Sequence, residues 1–260
     1  NKDQKETLIA FLEGEEILPN IIRSKFKGKI TTIKYYDEGI WWVQDIGSYI
    51  QFEILFKKIL QNFNSQPLKN LNLLDLCCAP GGKTTQILDR GLQAISVDKD
   101  LNRLEIMKQN MNRLNLKPNI ICQNALNIDF SKKFDVILID APCSAVGTIR
   151  RNPEIFFKRK SPNFNQLTKI QEQMLERASM LLNKNGLILY MVCSFLEIET
   201  ENQIDKFLKK NNDFKLCDLN LSKKIKYSKL IKNNYIITLP DKFLNYNIDG
   251  FFAAYLKKIK

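Results

Sequence analysis

The feature that most constrains the fold is an alternation of short apolar segments with amphipathic helical stretches between residues 71 and 209. The apolar segments have the length of buried strands, and they fall at 71–77, 93–98, 119–122, 134–140 and 186–192. Continuous apolar strands joined by helical crossovers predict a parallel sheet covered on both faces. The sequence therefore predicts a doubly wound α/β domain.

Apolar residues recur at helical spacing between these strands, as they do at Leu104, Met107, Met111 and Leu114. Beside the helix around those four residues, further helices are predicted at 84–90, 166–182 and 202–209. The pattern before residue 71 differs, and it predicts strands at 30–36 and 40–43 and a helix at 49–62. The Lys/Asn-rich stretch 206–234 is predicted to be surface helix and loop.

Histidine is absent from the 260 residues, which excludes Ser-His-Asp and Cys-His catalysis, imidazole acid–base chemistry and His-ligated metals. Any chemistry must therefore use cysteine, carboxylate, lysine, hydroxyl groups or a cofactor. The six cysteines form no C-x-x-C pair, so we predict no metal site; they are Cys77, Cys78, Cys122, Cys143, Cys193 and Cys217. Because this sequence shows no secretion signal, they are predicted to be reduced thiols of a cytoplasmic protein.

The chain carries 40 basic and 28 acidic residues, a formal net charge of +12. Such an excess favours polyanionic partners, nucleic acid first and anionic lipid second; a basic surface without a binding role is the alternative. The basic residues cluster at 23–34, 150–160 and 206–232, and a broad basic face suits RNA or DNA better than a small acidic metabolite. No apolar run approaches the ~20 residues of a membrane-spanning helix, so no membrane partner is expected.

Three candidate ligand-binding elements follow the first three predicted strands. The loop Ala79-Pro80-Gly81-Gly82 offers backbone that can lie against a ligand, and Asp98 and Asn124 follow the next two strands. Ligands of doubly wound sheets bind outside the carboxyl ends of the strands. A carboxylate there can accept hydrogen bonds from both ribose hydroxyls, and an amide can recognise an adenine edge.

Two nucleotide motifs compete for the glycine-rich loop. Gly82-Lys83-Thr84 resembles the end of a phosphate-binding P-loop, but that motif requires glycine where Cys77 stands. The G-x-G-x-x-G fingerprint of NAD and FAD proteins is absent as well. An adenosine ligand without a pyrophosphate fits better, and S-adenosylmethionine is the leading candidate.

Reactive side chains follow the fourth and fifth strands. Asp140-Ala141-Pro142-Cys143-Ser144 ends the fourth strand, and Cys193-Ser194 ends the fifth. A single buried cysteine is more often a small apolar residue than a reactive one. Two cysteines and a carboxylate that converge on the ligand edge of the sheet favour a chemical role.

These segments together resemble the Sun/Fmu (Nop2/Sun) RNA cytosine-5 methyltransferases, particularly the branch that acts on bacterial small-subunit ribosomal RNA. The resemblance covers more than four fifths of the chain in order, and the DAPCS and CS pair is its most specific part. Its segments are GIWWVQD (39–45), DLCCAPGGKT (75–84), VDKDLNRL (97–104), DAPCSAVGTIRRNPEI (140–155), CSFLEIETEN (193–202) and DGFF (249–252). The resemblance implies a Rossmann-like, S-adenosylmethionine-dependent methyltransferase sheet with a short N-terminal extension.

The resemblance also implies a role for individual residues. Cys193 would be the nucleophile that adds to cytosine C6, Cys143 would assist release of the product, and Asp140 would contact the base near N3 if protonated. Lys83 would either favour the Cys193 thiolate or only position the cofactor loop. The S-adenosylmethionine site would comprise Cys77, Cys78, Ala79, Pro80, Gly81, Gly82, Lys83, Asp98, Asn124 and Asp140.

Further residues are candidates for RNA contact. Arg150 and Arg151 are predicted to meet RNA phosphates, the alternative being a solvated pair. Trp41 and Trp42 are predicted either to stack on a base or to pack against the sheet. The family usually has Ala at Cys78, Asp at Asn124, Thr at Val192 and Lys at Tyr255, and none of these departures removes a catalytic group.

The resemblance divides the chain into two parts. Residues 1–45 are predicted to be the remnant of an N-terminal RNA-binding or linker region, and residues 46–260 the methyltransferase domain of a monomer. The leading hypothesis is an RNA cytosine-5 methyltransferase of ribosomal RNA. Transfer RNA as the substrate and a non-catalytic RNA-binding or ribosome-assembly module remain the alternatives. A DNA enzyme is disfavoured, since its Pro-Cys cysteine would attack and a second cysteine after the fifth strand would have no role.

Overall fold

The computed structural model describes residues 2–24, 26–157, 162–221 and 225–260. The N-terminal part contains helix α1, a β1–β2 hairpin and helix α2. Their bounds are α1 Lys2–Phe11, β1 Glu15–Leu18, β2 Ile21–Arg23 and α2 Ile46–Asn62. Among the described residues, no helix is both long and apolar enough to cross a membrane.

The middle of the chain alternates strands and helices as the apolar pattern predicts. Its elements are β3 Leu73–Leu76, α3 Gly82–Asp89, β4 Ala94–Asp98, α4 Leu101–Arg113, β5 Asn119–Cys122, β6 Phe134–Asp140, α5 Phe164–Leu181, β7 Leu182–Val192 and α6 Glu201–Lys210. The remaining strands are β8 Phe214–Leu216, β9 Ile231–Lys232, β10 Tyr235–Thr238, β11 Lys242–Phe243, β12 Tyr246–Asn247 and β13 Phe251–Lys258.

The central sheet has the strand order β5-β4-β3-β6-β7-β13-β10-β9, and β8 also pairs with β13. The strands from β5 to β7 are parallel. In contrast, β13 runs antiparallel to β7, β10 and β8. The doubly wound α/β fold is therefore confirmed, and the five strands predicted from the apolar pattern are parallel; the antiparallel strands that extend the sheet were not predicted. The strands beyond residue 210 were missed because β13 pairs with a strand far earlier in the chain, which no local pattern reveals.

Helices cover both faces of the sheet because successive strand residues point to opposite sides. Leu73 packs with α2 and α3 in one apolar cluster. Its neighbour Leu74 packs with α5 and α6 in the other. A third cluster joins Leu104, Met107 and Met111 of α4 to the loop after β3. These clusters fix the carboxyl ends of the parallel strands relative to one another.

Residues 30–45 do not form the two predicted strands. Ile30–Thr32 is a 3₁₀ turn, and a series of turns follows it. Tyr35 and Gly39 have φ values of 63° and 67°, a left-handed conformation that interrupts an extended strand. The strands were predicted from the aromatic and β-branched residues of this segment, which favour extended backbone. In the structure, hydrogen bonds within successive turns fix its conformation instead.

The N-terminal hairpin packs against the later part of the chain. Ile17 and Leu18 belong to the same apolar cluster as Tyr227, and Lys226 Nζ donates to the carbonyl of Ile17 at 3.0 Å. Asp45 caps the N-terminus of helix α2, and its Oδ1 accepts a hydrogen bond from Gly47 N at 2.8 Å. The division of the chain at residue 45 stays a prediction.

Candidate active site

A cavity of about 700 Å³ opens at the carboxyl ends of β3, β4, β6 and β7. Its size suits a nucleoside-sized ligand together with part of a second molecule. The cavity wall includes every residue predicted for the cofactor site and for catalysis, and Arg151 as well. These residues are Cys77, Cys78, Ala79, Pro80, Gly81, Gly82, Lys83, Asp98, Asn124, Asp140, Cys143 and Cys193. The predicted site residues therefore lie around one space.

The loop after β3 turns sharply into α3. Cys77 has a φ of 60° and Gly81 a φ of 105°, the region in which glycine alone avoids strain. A Cβ atom at Gly81 would also lie 2.8 Å from the side chains of Met107 and Met111. Glycine therefore allows the loop both to turn and to pack closely on α4, which leaves its other side toward the cavity.

Asp98, the last residue of β4, is buried and holds this loop. Its Oδ2 accepts from Ala79 N at 3.1 Å, and its Oδ1 accepts from Asp100 N at 3.0 Å. Arg103 Nη1 lies 3.6 Å from the same carboxylate and also bonds the Ala79 carbonyl. Each carboxylate oxygen has a second lone pair, so the oriented group can still accept hydrogen bonds from two hydroxyls.

Arg103 was missed as a site residue. It lies in the VDKDLNRL segment, but only the fold shows that its guanidinium joins Asp98 to the Ala79 carbonyl. Asn124 lies exposed on the cavity wall, and its Oδ1 accepts from Leu126 N at 3.0 Å. This hydrogen bond fixes the direction of the Asn124 amide.

Buried charged groups lie beneath and beside the loop. Burial raises the pKa of Asp140, although the nearby positive charges of Lys83 and Arg103 oppose the rise. Burial also raises the pKa of Asp75 to about 7, and Thr84 Oγ1 donates to Asp75 Oδ2 at 2.6 Å. A raised pKa increases the protonated fraction of a carboxyl, which is the form of Asp140 that can donate a hydrogen bond.

Lys83 is 4% exposed and lies between α2 and the reactive strand ends. Its Nζ donates to Ser48 Oγ. Burial lowers the pKa of Lys83, while the charges of Asp140, Asp75 and Cys193 oppose the change. The hydrogen bond to Ser48 suits a positioning role and the neighbouring charges suit an electrostatic one, so both predicted roles stay open.

The two reactive thiols are in contact. Cys143 Sγ lies 3.3 Å from Cys193 Sγ, and all six cysteines of the chain are free. The hydrogen bond with Cys193 and burial raise the pKa of Cys143 well above its ordinary value. A raised pKa favours the protonated form of the Cys143 thiol, and either sulfur can be the donor in this contact.

The loop that carries Cys143 is tied to the ends of β7 and β13. Gly147 N donates to the Cys193 carbonyl at 3.0 Å, and Gly250 N donates to the Gly147 carbonyl at 2.7 Å. A Cβ at Gly147 would lie 1.9 Å from the Gly250 oxygen, so only glycine fits there. The loop and the two strand ends thus form one unit.

The two predicted RNA-binding arginines are ion-paired within this unit. Arg150 Nη2 and Arg151 Nε contact the fully buried Asp249 carboxylate at 2.9 and 2.5 Å. Arg150 also lies 3.7 Å from Asp45. The side chain of Arg151 is 52% exposed, so it can meet a phosphate while it remains paired. Their contact with RNA stays a prediction, and residues 158–160 of the same basic cluster lie outside the described residues.

The two tryptophans are part of the cavity wall. Trp41 Nε1 donates to the Lys34 carbonyl at 2.8 Å, and Trp42 Nε1 donates to Gln44 Oε1 at 3.0 Å. Arg113 lies 4.2 Å from the Tyr36 ring centre and 5.6 Å from that of Trp41. These contacts hold half-buried aromatic rings on the cavity wall.

The sheet order, with one antiparallel strand inserted beside β7 and a ligand cleft at the strand ends, is that of a Rossmann-like methyltransferase. A family model described as 16S rRNA methyltransferase RsmB/F matches residues 63–257. The chain belongs to this family, which confirms the resemblance predicted from its motifs.

Named relatives and a solved structure agree with this result. Ribosomal RNA small subunit methyltransferase B of Shewanella oneidensis is 39% identical over 197 residues, which cover 74% of this chain and 44% of the relative. The protein of that name from Proteus mirabilis is 33% identical over 260 residues, covering 98% and 54%. The structure of NSun6 from Pyrococcus horikoshii with SFG superposes with a TM-score of 0.73 at 27% identity, covering 90% and 57%. The chain therefore spans about half the length of these relatives.

Proposed function

We propose that this chain is the catalytic part of an S-adenosylmethionine-dependent RNA cytosine-5 methyltransferase that acts on small-subunit ribosomal RNA. The observation that carries the proposal is the pair of thiols, Cys143 and Cys193, which lie 3.3 Å apart on the wall of a cleft of about 700 Å³ that Asp140 also lines. Membership of the RsmB/F family and the names of the relatives support the substrate class. The net charge of +12 suits a polyanionic substrate.

The residues of the cleft fit S-adenosylmethionine. The loop from Ala79 to Gly82 presents backbone and no long side chain, and the Asp98 carboxylate is held in place for a ribose. Asn124 offers an amide at the adenine end. When bound, this cofactor supplies the electrophilic methyl group that cytosine C5 attacks.

Cytosine C5 becomes a sufficient nucleophile only after a thiolate adds to C6. In this proposal the Cys193 sulfur forms the C6–S bond, and electron density moves onto the ring toward N3. Protonated Asp140 donates a hydrogen bond there and offsets the charge. The raised pKa of Asp140 increases the fraction of the carboxyl that can do so.

Release requires two changes at the ring. The C5 proton leaves to solvent, its electron pair forms the C5–C6 double bond, and the C6–S pair departs with Cys193 as a thiolate. The protonated Cys143 thiol, whose sulfur lies 3.3 Å from Cys193 Sγ, stabilises the departing thiolate by hydrogen bonding. One thiol thus adds to the base and the other assists its release.

Bisulfite sequencing of total RNA with and without this gene tests the substrate. One 5-methylcytidine in small-subunit ribosomal RNA that disappears with the gene is the expected result. Loss of a methylated cytidine in a transfer RNA instead would identify the alternative substrate. Unchanged methylation in every RNA would favour a non-catalytic role.

A further inference from the structure

The two Cys-Ser dipeptides of the site lie against each other. The Cys143 and Cys193 sulfurs are 3.3 Å apart and border the cavity. The hydroxyls of the following residues, Ser144 and Ser194, are 3.5 Å apart on the buried side. The thiols thus border the cavity, while the serines lie in the protein interior.

Glu199 is the buried group behind these serines. It is 0% exposed and ends a short turn, Glu197–Glu199, ahead of α6. Its Oε1 accepts from Ser144 N at 2.8 Å, and its Oε2 accepts from Ser144 Oγ at 2.6 Å. One carboxylate therefore holds both the backbone and the side chain of the residue after Cys143.

Gln171 of α5 holds the residue before Cys143. Its Nε2 donates to the Pro142 carbonyl at 2.9 Å and to Glu199 Oε1 at 3.2 Å. The Tyr190 hydroxyl donates to the Glu199 carbonyl at 2.7 Å and so fixes the turn on β7. Both neighbours of Cys143 are consequently tied to the same buried carboxylate.

The environment of Glu199 is unusual for a residue that only stabilises the fold. Among the described residues no lysine or arginine forms an ion pair with it. A buried carboxylate that has hydrogen-bond donors but no cation beside it carries a desolvation cost that a neutral side chain avoids. Cys193 directly follows the β7 ladder, whereas Cys143 lies in a loop and depends on such anchoring.

We propose that Glu199 is a positioning residue that holds Cys143 against Cys193 for the release step. The inference rests on the proposed function, and it adds a residue to which the motifs gave no role. Without the carboxylate, Ser144 loses two hydrogen bonds and the Cys143 thiol is no longer held in register with the departing sulfur. Addition by Cys193 and methyl transfer do not need this contact.

The test compares Glu199→Ala with Glu197→Gln, which removes an exposed carboxylate from the same turn. The readouts are single-turnover methyl transfer to small-subunit ribosomal RNA and the denaturation-resistant protein–RNA complex. Glu199→Ala is expected to accumulate that complex as Cys143→Ala does, with release slowed at least ~10-fold and methyl transfer within ~3-fold of the wild type. Glu197→Gln should behave like the wild type.

Glu199→Gln keeps an acceptor oxygen at the same length and is expected to restore most of the release rate. Ser144→Ala removes one of the two hydrogen bonds between Ser144 and Glu199, so it should accumulate less of the protein–RNA complex than Glu199→Ala does. If Glu199→Ala does not fold, Ser144→Ala provides the test. The inference would be overturned if Glu199→Ala and Ser144→Ala both released the RNA at the wild-type rate. It would also be overturned if these variants lost the covalent complex and methyl transfer to the same extent. A wild-type chain that neither methylates RNA nor forms a complex would instead contradict the proposed function itself.

Discussion

The two halves of the cleft are built in different ways. The cofactor half consists mainly of backbone, in which Gly81 allows the turn and Asp98 binds the amides of Ala79 and Asp100. The thiol half consists of side chains: Cys143 contacts Cys193, and the residues on either side of Cys143 are bound by Gln171 and Glu199. The first half is shaped to hold a ligand, and the second is shaped to keep reactive atoms in contact.

This difference indicates what each half tolerates. Ligand binding is shared among many weak contacts, so the loss of one contact weakens affinity by a limited factor. Covalent chemistry depends on particular atoms, and the loss of one stops a step. Substitutions in the cofactor half should therefore change affinity, whereas substitutions in the thiol half should change which intermediate accumulates.

Cys193→Ala should have the largest effect. Because no other thiol is placed to add to C6 in this mechanism, turnover should fall at least ~10³-fold and no covalent RNA complex should form. A denaturing gel with labelled RNA measures the complex, and cofactor titration checks that the other half of the cleft is intact. Formation of the complex by this variant would make Cys143 the nucleophile.

Cys143→Ala should leave addition and methyl transfer in place and slow elimination. Turnover should drop about 10²-fold, the scale of losing one assisting group, while the protein–RNA complex accumulates. The same gel and a single-turnover assay separate the two steps. If both cysteine variants lose activity without any trapped complex, the thiols are structural and the contrast between the two halves disappears.

Asp98→Ala should act on binding instead. Loss of charge-assisted hydrogen bonds should weaken S-adenosylmethionine affinity by ~1.5–3 kcal/mol, or about 10- to 150-fold, as measured by calorimetric titration. Asp89→Ala removes an exposed carboxylate from α3 and serves as the control. Unchanged affinity in the Asp98 variant would remove this residue from the cofactor half.

The raised pKa of Asp75 predicts that the free energy of unfolding depends on pH. Its folded-state pKa of about 7 lies above the ~3.9 of an unfolded chain, so its stabilising contribution is present at low pH and is lost as pH rises from about 4 to about 7. Asp75→Asn keeps an acceptor for Thr84 and removes this loss. Its unfolding free energy relative to the wild type should rise by about 3 kcal/mol between pH 5 and pH 8 in denaturant titrations.

Asp89→Asn is the matched control for the loss of one negative charge from the same region. A difference between Asp75→Asn and the wild type that stays constant over this pH range would show that the Asp75 carboxyl does not titrate there. The pH sensitivity would then have to be attributed to another group in the cleft.

The sequence predicts most of the cleft because its signals are local. Glycine at 81 marks a turn, and Asp98, Asp140 and Cys193 each end or follow an apolar strand whose type and order are predictable. The segment 30–43 was assigned wrongly because its aromatic residues satisfy turns as well as strands. Its left-handed Tyr35 gives no signal in a single sequence.

Glu199 is a residue of the site that the sequence could not predict. It lies in the CSFLEIETEN segment, where an acidic residue in a polar turn is usually solvated. Its contact with Ser144 spans 55 residues of sequence and depends on the packing of the turn after β7 under the loop after β6. Such a role follows from tertiary packing, because no spacing rule connects the two segments.

The inserted strand β13 has a consequence for how the protein matures. It pairs with β7 over residues 252–257, and its neighbours Asp249 and Gly250 tie down the loop of Cys143. During synthesis the edge of β7 stays open until residues 251–258 have left the ribosome, because β13 is the strand that pairs with it. A nascent chain therefore cannot complete either the pocket wall at Phe251 or the anchoring of the Cys143 loop before β13 has emerged.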